Sequence, residues 1–149
     1  MPLAIVTMGF AFNLINAPLN AIGLFYIPTS NSSGWLPDPF FLIGISLFIL
    51  GFVVNIHSDH ILRKLRQPLE TEYKIPRGGL FRWVTSPNYL GEIIEWVGWM
   101  IAAQSLASVA FAAFTFANLA PRARAHHKWY LANFPDYPKN RKALIPWVF

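Results

Sequence analysis

Cysteine is absent from these 149 residues, which excludes a disulfide framework, a thiolate metal site and a cysteine nucleophile. Charge is scarce as well. Asp, Glu, Lys and Arg make up 13% of the chain, against 54% hydrophobic and 16% aromatic residues, whereas soluble domains carry roughly 25% charged residues. A water-soluble fold of this size needs more polar surface. No GxGxxG opens a strand–helix unit and no Walker motif is present, so a nucleotide would be held outside the Rossmann and P-loop geometries. There is no GxSxG, and of the histidines His57, His60, His126 and His127 the last two are adjacent rather than on one helix face. Serine hydrolysis and metal chemistry therefore lack support. The first 20 residues hold no Lys or Arg, so the charged start of a cleaved secretory signal is missing and the chain reads as mature from Met1. Repeats, low-complexity tracts and interdomain linkers are missing too, which predicts one membrane domain over residues 1–149.

What is present is a series of apolar stretches. Residues 3–27 are uncharged and long enough to cross a hydrocarbon core, although Asn13, Asn16, Pro18 and Asn20 interrupt them. A turn-rich run at 28–39 follows, and residues 40–56 form the cleanest span. Pro68, Pro76, Gly78, Gly79 and Pro87 exclude one continuous helix between Gln67 and Asn88, which predicts a long ordered loop on the aqueous side. Residues 89–104 and 108–119 read as a helical hairpin turning at Ser105, Leu106 and Ala107, its second arm continuing past Pro121 to Tyr130. The fold class predicted is an all-α integral membrane protein with about four transmembrane helices. Lys and Arg fall at 63–82 and after Pro121 but not in the 28–38 loop or near Ser105, a positive-inside pattern that puts the long loop and both termini in the cytoplasm. The membrane itself reads as a bacterial inner membrane or the endoplasmic reticulum. The net charge of +5 and pI near 9.8 belong to those membrane-flanking blocks, not to a nucleic-acid surface.

Three polar clusters lie at the predicted cytoplasmic boundary, where unpaired polar groups are costly. Asn55, Asp59, Arg63 and Arg66 share one helix stripe, either as ligand-binding groups or as a helix end with an Asp59–Arg63 ion pair. Asn88, Glu92 and Glu95 open the third span. The two carboxylates serve a site or pack against Arg122, and Asn88 is a ligand, a helix N-cap, or both. Arg122, His126 and Tyr130 lie on the emerging fourth helix, followed by Tyr137 and Arg141 in the tail. Lys128, Lys139 and Lys142 read as a solvated headgroup face. Gly78 and Gly79 read as turn glycines. Together the clusters suit one anionic ligand, with guanidinium groups for phosphate and amides or carboxylates for ribose and carboxamide.

The runs NIHSDHILRKLR at 55–66, YKIPRGGLFRWVTSPNYLGEIIEW at 73–96, AHHKWY at 125–130 and FPDYPKNRKALIPWVF at 134–149 resemble the C-terminal region of the steroid 5α-reductases, the 3-oxo-5α-steroid 4-dehydrogenases. The resemblance covers about residues 40–149, leaving 1–39 as an N-terminal helix and loop. It implies a seven-helix membrane fold and NADPH-dependent reduction of the Δ4 double bond of a 3-oxosteroid or similar lipid enone. It also implies Asn55, Asp59, Arg66, Tyr73, Asn88, Glu92, His126 and Tyr130 as cofactor ligands, with Arg63, Glu95, Arg122 and Arg141 in support. The Glu and Tyr that hold the steroid carbonyl in that family lie on earlier helices with no match in this chain. No catalytic acid is therefore assigned, and the chain reads as a truncated form, one part of a split enzyme with a partner subunit, or an enzyme with a substitute donor.

Two other readings predict different behaviour. A membrane methyltransferase of the isoprenylcysteine carboxyl methyltransferase type would be stabilised by S-adenosylmethionine instead of NADPH, and a non-enzymatic membrane subunit by neither.

Overall fold

The computed structural model describes residues 3–25, 38–65 and 73–149. They form α1 (Leu3–Phe25), α2 (Pro39–Leu65), a short 3-10 helix (Gly79–Arg82), α3 (Pro87–Ala103) and α4 (Leu106–Asn133). The all-helical expectation therefore holds. Two of these helices, α2 and α4, are long and apolar enough to cross a membrane. At ~1.5 Å per residue they extend roughly 40 Å, beyond a hydrocarbon core of about 30 Å. Only 11% of the most apolar stretch of α2 is buried, and Phe40, Leu42, Ile49, Leu50 and Val53 are each more than half exposed. A helix with so much apolar surface outward is shaped for lipid.

Helix α1 tolerates its asparagines because they bond locally. Asn13 Nδ2 donates to the Gly9 carbonyl and Asn20 Nδ2 to that of Asn16. Phe12 then stacks on Phe114 of α4, with ring centroids 5.0 Å apart.

The closest packing is between α2 and α3, and glycine sets it. A Cβ on Gly44 would lie 2.5 Å from the Ala102 nitrogen and one on Gly91 2.6 Å from the Asn55 nitrogen; Gly51 would strike Glu95 and Gly98 would strike Phe48. Gly44 faces Gly98 and Gly51 faces Gly91, so the helices run antiparallel with backbones nearly touching, as small residues permit.

The α3–α4 turn is tighter than expected. Gln104 caps α3 in the left-handed conformation (φ 45°), and Ser105 starts α4 with a capping box to Ser108. Leu106 and Ala107 are already helical, because Ser105 caps the helix: its hydroxyl accepts from the Ser108 amide while the Ser108 hydroxyl accepts from the Ser105 amide. Helix α4 passes through Pro121, as the sequence predicts, and ends at Asn133, three residues beyond Tyr130. Alternating helix directions bring the C-terminal end of α2, the N-terminal end of α3 and the C-terminal half of α4 to one end of the bundle.

There the C-terminal tail folds back. Lys142 donates its amide to the Trp83 carbonyl (2.9 Å), and the Thr85 and Ser86 amides bond the carbonyls of Lys142 and Ala143. Leu144, fully buried, packs with Ala120 and Ala123 against Tyr89, Leu90 and Ile93.

Candidate functional site

Asn55 projects from α2 one turn before Asp59, and both meet the start of α3. Asn55 Nδ2 donates to the Asn88 carbonyl (3.1 Å), and Asn88 Nδ2 donates to Asp59 Oδ1 (3.3 Å). This pairing corrects two expectations. Asn88 is not the helix N-cap, because Ser86 holds that position and Pro87 the first helical one; its side chain turns instead to α2. Asp59 and Arg63 form no ion pair among the described residues, and Arg63 Nε reaches the Asp59 backbone carbonyl at 3.4 Å. Arg66 lies outside the described residues.

A cavity of about 840 Å³ opens beside this junction, within the roughly 300–1,000 Å³ of small-molecule and cofactor sites. Asp59 and Arg63 line it from α2, Tyr73 from the loop, Asn88 from α3, and His126 and Tyr130 from α4. Six of the residues singled out in the sequence therefore face one space, although they come from four separate segments. Leu62, Pro76, Thr85, Ser86, Tyr89 and Trp129 complete the wall. Sequence reasoning passed over these six because nothing in their own spacing marks them.

Aromatic contacts give the cavity its sides. The rings of Tyr73 and Trp129 meet edge to face at 4.9 Å, and Tyr89 lies 5.6 Å from His126. Behind the wall, Thr85 Oγ donates to the Lys142 carbonyl (3.1 Å). With its one proton so committed, it accepts from His127 Nδ1 (2.6 Å) and from the Tyr137 hydroxyl (2.8 Å).

The remaining expected residues stand back from the cavity. Glu92 is half-buried on α3 within electrostatic reach of Asp59 and Arg122, but no Glu92–Arg122 ion pair within 4 Å occurs among the described residues. Arg122 itself is exposed. Glu95 lies where α3 crosses Gly51. Arg141 is 5% exposed, with its guanidinium over the Tyr137 ring at 5.1 Å and its Nε and Nη1 without hydrogen-bond partners among the described residues.

Chemically, the cavity offers a guanidinium, a carboxylate, an amide, an imidazole and a phenol around aromatic walls. That set suits a polar, ring-bearing anion better than a purely apolar ligand.

Comparison with known proteins bears on this site. A family model described as 3-oxo-5-alpha-steroid 4-dehydrogenase matches residues 1–149, so the likeness also takes in α1. The 3-oxo-5-alpha-steroid 4-dehydrogenase 1 of Macaca fascicularis is 51% identical over 149 residues, all of this chain and 56% of its own length. The Homo sapiens protein of that name is 50% identical over all of this chain and 57% of itself. The 3-oxo-5-alpha-steroid 4-dehydrogenase 2 of Homo sapiens is 49% identical over 99% of this chain and 58% of itself. The chain thus spans just over half the length of these relatives.

Proposed function

Because the chain belongs to the 3-oxo-5-alpha-steroid 4-dehydrogenase family, we propose that its cavity holds the dinucleotide NADPH for reduction of the Δ4 double bond of a 3-oxosteroid or similar lipid enone. The observation that carries this reading is the convergence of Asp59, Arg63, Tyr73, Asn88, His126 and Tyr130 on one space of about 840 Å³. In this proposal the polar end of the bundle faces the cytoplasm and the cofactor enters from there.

The donor set fits such a ligand. Arg63 would take a phosphate, and Arg66, which the sequence spacing groups with it, would join it. Asp59, oriented by Asn88, would accept from ribose hydroxyls. His126 and Tyr130, one turn apart on α4, would hold the carboxamide end, with Tyr73 and Trp129 excluding water. Asn55, Glu92, Glu95, Arg122 and Arg141 act behind these groups, Asn55 by locking α2 to α3 beside the cavity-lining Asn88. When bound, NADPH supplies the hydride. The chain's own part is to bind, orient and shield it. The acid that polarises the steroid carbonyl belongs, in this proposal, to a further segment or partner subunit.

Thermal unfolding of the purified chain in lipid nanodiscs tests the cofactor. NADPH at 100 times its Kd is expected to stabilise by about 2.7 kcal/mol, S-adenosylmethionine by nothing. Asp59→Ala and Asn88→Ala should each weaken NADPH binding by roughly 10-fold or more, the scale of a lost hydrogen bond to a charged partner. No shift with NADPH sinks the reading. An assay with a 3-oxo-Δ4-steroid then locates the proton donor: turnover puts it within these residues, and binding without turnover puts it in another segment or subunit.

A further inference from the structure

A second cavity, of about 690 Å³, lies on the other face of α4. His126, Trp129 and Tyr130 point to the first cavity; Arg124, Ala125 and Lys128 point to the second. Two adjacent helix rows build it. Phe116, Ala120, Arg124 and Lys128 follow one another at four-residue spacing, and Ala117, Pro121 and Ala125 form the neighbouring row. The alanines and the proline leave a shallow channel along the helix. Ile145 and Phe149 of the folded-back tail form its far bank.

The channel changes character along its length. Its Phe116 end lies in the apolar part of α4. Its other end, roughly 18 Å further along, carries two exposed cations. Among the described residues neither Arg124 nor Lys128 has an ion-pair or hydrogen-bond partner. Asp136 pairs instead with Arg77, at 3.8 Å. One carboxyl oxygen of Phe149 accepts from the Leu144 and Ile145 amides at 2.7 and 2.6 Å, which ties it to the tail's own backbone.

From this gradation we infer that the groove is a binding site for an anionic glycerophospholipid of the cytoplasmic leaflet, its phosphate held between Arg124 and Lys128 and an acyl chain lying over Ala117 and Ala120 toward Phe116. A purely apolar occupant would leave two cations uncompensated, and free phosphate would leave the apolar floor bare. A zwitterionic lipid would bring its ammonium group toward the basic pair. The inference rests on the membrane orientation given under the proposed function but not on NADPH.

The full chain reconstituted in nanodiscs of equal phosphatidylglycerol and phosphatidylcholine, released for native mass spectrometry, provides the test. Phosphatidylglycerol should be retained in preference by roughly 25-fold, about 5-fold per basic side chain. The preference should fall to near parity in Arg124→Gln/Lys128→Gln and persist in Arg124→Lys/Lys128→Arg. Ala117→Trp, which fills the floor and leaves both charges, should also abolish it; this variant decides the matter if the glutamine pair fails to fold. Unchanged preference in the glutamine pair or in Ala117→Trp overturns the site. So does displacement of the lipid by inorganic phosphate, or groove closure by a second copy that excludes lipid. Flotation of each variant with phosphatidylcholine vesicles after an alkaline wash checks insertion separately. A chain that inserts yet shows no preference refutes the lipid site alone, while one that does not insert refutes the membrane orientation as well.

Discussion

Thr85 has one hydroxyl proton and three partners, and it sits at the point where the cavity wall, α4 and the tail meet. It is 4% exposed, so water cannot replace what it loses. Thr85→Val keeps the shape and strands His127 Nδ1 and the Tyr137 hydroxyl, at an expected cost of about 1–3 kcal/mol; Thr85→Ser should restore most of it. Thermal unfolding in nanodiscs separates the two, and equal melting of both variants would remove Thr85 from this role. The same junction makes stability depend on pH. His127 lies beyond the apolar part of α4, and burial, then the Lys142 ammonium, hold its imidazole below the ordinary range. The unfolded chain, titrating near about 6.5, therefore takes up the proton first as pH falls. The stability tied to neutral His127 is complete above that value and is lost as pH drops through the lower folded pKa. His127→Asn keeps a donor without titrating, so its melting temperature should fall less between pH 7 and pH 5 than that of the natural chain. Parallel slopes would contradict the assignment. None of this network was legible in the sequence, because Thr85, His127, Tyr137 and Lys142 are joined only by the tail's return.

Helix by helix, legibility followed periodicity. The α2 stripe, the carboxylates of α3 and the His126–Tyr130 pair were visible because four-residue spacing puts polar groups on one face. Which of them would reach the cavity was not visible. Glu95 sits at the middle of α3, where that helix crosses Gly51, and Arg122 is not part of the cavity wall; which face a residue takes is set by where helices touch. That contact was itself written as Gly44 and Gly51 on one helix and Gly91 and Gly98 on the other, each pair seven residues apart. The spacing went unread, since glycine inside an apolar stretch signals close approach only once a partner helix is known. Its consequence is testable. Gly91→Leu must push α3 away from Asn55 and Gly51, at an expected cost of about 3 kcal/mol or more given overpacking against backbone. It should also open the Asn55–Asn88–Asp59 chain, so that NADPH stabilises the variant less than the natural protein. If Gly91→Leu melts normally and responds fully to NADPH, close packing at Gly91 is not what positions the α2–α3 junction.

Across the whole molecule, the cavity depends on chain segments that are far apart in sequence, and the tail is the fastening between them. Residues 142–143 pair with the backbone of 83–86, which carries Thr85 and Ser86 into the wall, while Leu144 is driven between α3 and α4 beside Tyr89, another wall residue. A small buried group should thus act at a distance. Leu144→Ala removes a fully buried side chain, at an expected cost of about 2–5 kcal/mol, and touches none of the polar groups offered to the dinucleotide. If the tail holds the wall, the variant loses NADPH affinity as well as stability, and the loss of affinity persists well below its melting temperature, where almost all of the chain is folded. If the tail only thickens the core, Leu144→Ala melts earlier but binds NADPH with unchanged Kd at low temperature. Titration at 10 °C beside a thermal melt distinguishes the outcomes, and the second would show that the wall keeps its position without the tail.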